Sequence, residues 1–123
     1  YRDAFVGGIQ HSAFAEAMCP DVLIPKELTR KRTYLEKMHK SDICIGSMGL
    51  HKSIGWKTGE YVAASRAIVA ERFHYQLPGD FREGSNYLSF DTVEECLEKV
   101  NQLFTNPDMV YAMKKANQIY MFY

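Results

Sequence analysis

DICIGSMGLHKSIGWKTGEYVAASRAIVAE, residues 42–71, carries strand, glycine-bearing loop, helix and strand in one unit. Asp42 to Gly46 is a short apolar run of strand length, and Ala67 to Ala70 is another, built around the β-branched pair Ile68 and Val69. Between them the residue pattern predicts a helix over Gly55 to Ser65, its start crowded with small and basic residues. A strand–helix–strand connection of this length implies parallel strands and a right-handed crossover. Such sheets bind ligands beyond the carboxyl ends of their strands, which here is the loop Ser47 to Ile54.

That segment offers an anion several contacts. Gly46, Gly49 and Gly55 are expected to let the backbone turn sharply and approach another group closely, with Ser47 and Ser53 beside them. His51, Lys52 and Lys57 lie within the same few residues. The first turn of a helix has unpaired N–H groups and a partial positive charge, so a phosphate placed there is stabilised by both. The pattern is neither a Walker sequence nor GxGxxG. Glu60 stands about one turn into the helix, where phosphate would repel it unless it accepts from hydroxyls, as the acidic residue of dinucleotide sites does with a ribose. Two plainer readings stand beside these. Glu60 complements the helix dipole, and the loop is an ordinary strand-to-helix turn whose glycines only make the bend.

The stretch SIGWKTGEYVAASRAIVAE, residues 53–71, resembles the donor-binding segment of the group 1 glycosyltransferases of GT-B architecture. In that family two spaced Glu residues open a helix that runs into Ala-rich residues and a strand. Glu60 matches the second Glu, Ser53-Ile54-Gly55 the small-residue turn before it, and Ala63 to Val69 the helix end and next strand. Lys52 stands where the family has its first Glu, which contacts the transferred sugar. The segment GDFREGSNYLSFDTVEECLEKVNQLFTNPDMVYAMKKAN, residues 79–117, is similar to the family's usual ending of turn, short strand, helix, Asn-Pro break and last helix.

The resemblance implies an α/β fold, a Rossmann-like parallel sheet of about four to five strands flanked by helices, as one half of a GT-B enzyme. It implies donor binding for transfer of a sugar from a nucleotide-diphosphate sugar to a polysaccharide, lipid or other glycan, without a metal or other cofactor. Ser53, Ile54 and Gly55 would meet the phosphates through their backbone, Lys57 and Lys52 would neutralise charge, and Glu60 would take the ribose hydroxyls. His51 and Gly49 are further candidates for sugar or phosphate contacts, and no catalytic residue is assigned. The partner would be an N-terminal acceptor domain. The alternative is a non-catalytic binding or interaction module that keeps the fold without donor binding, which Lys52 favours. A phospho-receiver version needs an acidic cluster at the strand ends, whereas Asp42 begins the central strand and Gly46-Ser47 ends it.

Length and composition set the bounds. With 123 residues, 46% of them hydrophobic, the chain suits one compact domain rather than two of ordinary size. Fifteen basic and fifteen acidic residues give no net charge, so no global electrostatic case exists for nucleic acid or an anionic membrane. Local charge differs: Lys26, Arg30, Lys31, Arg32, Lys37 and Lys40 gather before the central strand, as a solvated helix face or one that touches anionic lipid. Cys19, Cys44 and Cys96 are scattered and lack CxxC spacing, which fits a reducing compartment better than a disulfide framework or zinc site. No apolar run approaches membrane-spanning length. The expected location is cytoplasmic, with contact at the inner membrane face open to a full-length enzyme. The start on YRDAFVGGI and the end on QIYMFY suggest a domain cut from a longer polypeptide.

Elsewhere, Ala4 to Ile9 and Val22 to Ile24 are predicted strands, His11 to Met18 a short helix, and Leu28 to His39 a longer one. His11 is a lone histidine near a loop, of the kind that is usually a plain surface residue. Residues 72–86 are expected to form a loop whose aromatic residues pack it onto the domain, followed by a strand over Tyr87 to Phe90 that exposes Ser89. Thr92-Val93-Glu94-Glu95 is a capping box, opening a helix with Val93, Cys96, Leu97, Val100, Leu103 and Phe104 as its expected buried stripe. Asn106 and Pro107 start a last helix, with Met109, Met113, Ala116 and Tyr120 on one face.

Overall fold

A computed structural model describes residues 4–122; Tyr1 and Tyr123, which bear on the reading of the chain ends, lie outside the described residues. The chain falls into two compact units, the first ending at Lys40 and the second beginning at Ser41.

The first unit holds helices α1 (Ala13–Met18) and α2 (Lys31–Lys40), with short 3₁₀ turns at Pro20–Val22 and Lys26–Thr29. Ser12 caps α1 by accepting from Ala15 N–H at 3.0 Å, and His11 Nδ1 lies 3.2 Å from a Glu16 carboxylate oxygen. The two predicted strands are absent here. Residues 4–9 and 22–24 meet only in one parallel bridge, Ile9 with Leu23, closed by Ile9 N–H to Val22 O and Ile24 N–H to Ile9 O. The flanks explain its shortness. Val22 already belongs to a 3₁₀ turn opened by Pro20, Pro25 precedes the next turn, and Gly8 sits at φ +150 against the bridge. The single predicted helix over Leu28 to His39 is likewise a 3₁₀ turn followed by α2.

The second unit runs β1 (Ile43–Gly46), α3 (Trp56–Ala63), β2 (Ala67–Glu71), β3 (Leu88–Phe90), α4 (Val93–Phe104) and α5 (Pro107–Phe122). Its sheet has three parallel strands in the order β1-β2-β3, fewer than expected, with helices flanking it. Ile43 to Gly46 pair with Ala67 to Ala70, and Val69 to Glu71 pair with Leu88 to Phe90. The β1–α3–β2 unit is therefore present with parallel strands, as residues 42–71 predict.

Alternation along the strands divides the core. Ala67, Val69 and Leu88 pack with Leu103 of α4 and Met113 of α5, joined by Val100, Cys96, Met109 and Val110. On the other face Gly46 lies near α3, where a Cβ on it would stand 3.7 Å from Thr58 Oγ1 and 3.9 Å from the Tyr61 ring. Ser89 corrects the expectation of exposure: it is buried on this covered sheet, and its hydroxyl donates to Glu83 Oε1 at 2.6 Å. That hydrogen bond is the main reason the Glu83 carboxyl is held below its ordinary range.

The α4 stripe divides as well. Cys96, Val100 and Leu103 turn inward, whereas Val93, Leu97 and Phe104 remain exposed, because only one side of the helix meets the sheet and α5. Thr92 caps α4 by accepting from Glu95 N–H, while Glu95 reaches back to Asp91 N–H, one residue before the partner of a standard capping box. Asn106 accepts from Met109 N–H and Pro107 follows as the first helical residue.

Asn117 is the polar centre of α5. It is fully buried, donates to Arg66 O at 2.8 Å and Asn86 O at 3.0 Å, and accepts from Asn86 Nδ2 at 3.0 Å. This ties α5 to the turn before β2 and to the approach to β3. The turn itself is a Schellman motif, with Ser65 N–H to Val62 O, Arg66 N–H to Tyr61 O and Ser65 at φ 55 in the position glycine usually fills. Of the aromatic residues in the loop 72–86, Phe73 and Phe81 pack down as expected, Phe81 stacking on Tyr87 with centroids 5.3 Å apart and meeting Tyr120 at 5.1 Å, whereas His74 and Tyr75 stay exposed.

Candidate functional site at the carboxyl end of β1

Beyond Gly46 the chain forms a small closed hairpin. Met48 and Ile54 make an antiparallel bridge, Gly49 N–H donates to Ser53 O at 2.7 Å, and Ser53 N–H donates to Leu50 O at 3.1 Å. His51 lies at φ 57, ψ 33 and Lys52 at φ 61. Two successive positive φ angles beneath a four-residue hydrogen bond are the signature of a type I′-like turn, normally made by Asn-Gly. The bend is thus placed on His51 and Lys52, not on the glycines. Gly49 precedes the turn in extended backbone, where a Cβ would fall 2.7 Å from Ser53 Oγ, and Gly55 has an extended φ of -64 and ψ of 143.

Gly55 is the N-cap of α3 and offers no side-chain oxygen to the first-turn amides. Three other helix starts differ: Ser12, Thr92 and Asn106 each accept a backbone N–H at the openings of α1, α4 and α5. Lys57 is exposed in the first turn of α3, and Glu60, half-buried, stands past that turn. Dipole effects fade within one turn, so the dipole explanation of Glu60 weakens. Ser53 and Lys52 are exposed and Ile54 is half-buried in the bridge. The seven residues from Gly49 to Gly55 therefore form one short structured segment, with Lys57 and Glu60 following on the helix it leads into.

Sequence reasoning passed over three features of this edge. Glu71 ends β2 and its carboxylate accepts from Met48 N–H at 2.5 Å, fastening the hairpin to the sheet. It was legible as the first charged residue after four buried strand residues. Tyr61, buried in α3, donates to Ile45 O at 3.2 Å and Thr58 packs beside it, so the helix is fixed over the end of β1. Leu50 and Trp56 are 79% and 84% exposed, large apolar side chains on either side of Ser53.

Chemically, the edge presents cationic groups, backbone amides and two carboxylates, Glu60 on α3 and Glu71 on Met48 N–H. Among the described residues no group of three or more His, Cys, Asp or Glu is placed to hold a metal ion, and no helix is long and apolar enough to cross a membrane. A shallow concavity along α2, lined by Lys31, Leu35, Glu36 and Lys40 among others, involves none of these residues. No protein-family model, curated protein or solved structure matches the chain.

Proposed function

We propose that the chain is the donor-binding domain of a glycosyltransferase, holding a nucleotide-diphosphate sugar at the carboxyl end of β1 while a second domain supplies the acceptor. The observation that carries this reading is the start of α3, which follows a parallel strand and opens on Gly55 without a side-chain cap. In such a place an anion meets helix amides at close range. Ser53 uses its N–H on Leu50 O and its carbonyl on Gly49 N–H, so the expected Ser53 backbone contact falls away. The backbone of Ile54 and Gly55 would face the diphosphate, and Lys57 with Lys52 would offset its charge. His51 and Gly49 border the same turn. Glu60 would accept from the ribose hydroxyls, a carboxylate one turn removed from the phosphates. As the sugar leaves, charge develops on the diphosphate, and preorganised amides and lysines stabilise it without a metal.

A non-catalytic module of the same fold is the second reading, and Lys52 favours it. The family resemblance expects a carboxylate toward the sugar at that position.

Ligand-detected NMR against UDP, GDP, ADP, their sugar conjugates and inorganic pyrophosphate separates the two. Binding of one nucleotide above the others, weakened about tenfold in Glu60→Ala by loss of charged hydrogen bonds to the ribose, supports donor binding. Equal binding of every diphosphate, unchanged in Glu60→Ala, would reduce the edge to a generic anion site.

A further inference from the structure

The hairpin exposes more apolar surface than anion binding needs. Leu50 is 79% exposed beside the turn and Trp56, the only tryptophan of the chain, is 84% exposed at the first position of α3. Between and beside them stand His51, Lys52 and Lys57, all exposed, and no acidic residue occurs from Ile43 to Gly59. The carboxylate of Glu71, which reaches the hairpin from β2, is turned onto Met48 N–H.

We propose that this edge docks on an anionic lipid surface, with Leu50 and Trp56 entering the headgroup boundary and His51, Lys52 and Lys57 facing lipid phosphates. Tryptophan favours that boundary because its ring is apolar and its N–H is polar. Basic residues beside it add attraction to anionic headgroups. The arrangement suits lipid better than a protein partner. Two bulky apolar side chains separated by cations offer no contiguous apolar core, which a protein interface of ordinary size requires, whereas a fluid headgroup layer closes around each one. The hairpin is also held in shape before contact, by its bridge and two internal hydrogen bonds, so little ordering accompanies docking. Leu50 and Trp56 have no role in donor binding, whereas His51, Lys52 and Lys57 are shared with it, so a lipid phosphate and a diphosphate would compete for the same cations.

The test uses the whole chain with phosphatidylcholine vesicles, with and without phosphatidylserine, in flotation and in Trp56 emission. Binding only to the phosphatidylserine vesicles is expected, with a blue shift and quenching by lipids brominated in their acyl chains. Leu50→Ser should weaken binding roughly tenfold from loss of one buried apolar side chain. Lys52→Gln with Lys57→Gln should weaken it about twentyfold. Both variants change exposed side chains, and an unaltered far-UV spectrum checks the fold. Failure to float would overturn the proposal. So would flotation without Trp56 quenching, which would assign the contact to other basic residues such as those of α2, and so would equal binding to neutral vesicles.

Discussion

Replacing Asn117 tests whether the second unit is held by a polar keystone or by apolar packing alone. Asn117 makes three hydrogen bonds from a fully buried position, to Arg66 O, Asn86 O and Asn86 Nδ2. Asn86 is itself buried and uses its Oδ1 for Arg82 N–H, so it has no spare geometry with which to compensate. Asn117→Leu keeps the volume but strands two carbonyls and one amide proton. At about 1 kcal/mol per lost bond, plus desolvation of groups left unpaired, the loss should be about 3–5 kcal/mol. Asn117→Asp keeps the acceptor for Asn86 and loses both donors, setting an ionised carboxylate against two carbonyl oxygens. Its carboxyl should therefore hold its proton above the usual range in the folded state. A folded-state pKa raised in this way adds stability below the unfolded value and loses it as pH rises, so Asn117→Asp should recover toward wild type near pH 4 while Asn117→Leu should not. Urea unfolding followed by far-UV circular dichroism is the suitable assay, because the single, exposed Trp56 reports poorly on the core. Hydrogen exchange at the β2 amides localises the effect. A neutral or stabilising Asn117→Leu, with β2 protection unchanged, would refute the reasoning.

Three further outcomes follow from the geometry. His51→Asn with Lys52→Gly should raise stability by about 1–2 kcal/mol in urea unfolding, because Asn-Gly fits two successive positive φ angles better than His-Lys. Gly8→Ala should open the Ile9–Leu23 bridge, since a Cβ there would stand 2.8 Å from both Ile24 N and Val22 O; faster exchange of the Ile9 and Ile24 amides would register it. Burial pushes the Cys44 thiol up to about 11, against the partial opposition of Arg66 and Lys114. Because the folded state holds that proton more tightly, its stabilisation is lost as pH rises from about 9 to about 11, by about 2–3 kcal/mol at most, and Cys44→Val should be spared that loss.

The sequence made the β1–α3–β2 unit legible because each part carries its own local signal: strand-length apolar runs, small residues before a helix, and a connection too long for a hairpin. The caps at Thr92 and Asn106 were legible for the same reason, since a cap is settled within a few residues. Strand pairing is settled by the surroundings. Residues 4–9 and 22–24 have strand composition but no room to extend their ladder between 3₁₀ turns, and composition does not reveal that. Ser89 was misjudged through period-two reasoning, which assumes one wet face, whereas this parallel sheet is covered and Glu83 supplies the hydroxyl with a partner. Asn117 sits four residues after Met113, on the buried stripe of α5, and was passed over because a polar residue there breaks the apolar pattern. Only the carbonyls of Arg66 and Asn86, distant in sequence, explain its burial.

The glycines of the candidate site show how a correct location can rest on an incomplete mechanism. Read from the sequence, Gly46, Gly49 and Gly55 promise a sharp turn and a close backbone approach, but none of them adopts positive φ. A Cβ on Gly46 would meet Thr58 and Tyr61 only at ordinary contact distance, whereas Gly49 leaves room for Ser53. The conformational strain falls instead on His51 and Lys52, at about 1–3 kcal/mol each for backbone of this kind. Such strain persists only where the surroundings fix it, and here the Met48–Ile54 bridge, the two hydrogen bonds inside it and the Glu71 carboxylate do so. A loop fastened in this way presents its cations and its apolar side chains in one arrangement. That preorganisation serves a diphosphate and a lipid headgroup alike, since both would meet the hairpin already formed. What separates them is Leu50 and Trp56, which only the lipid would bury.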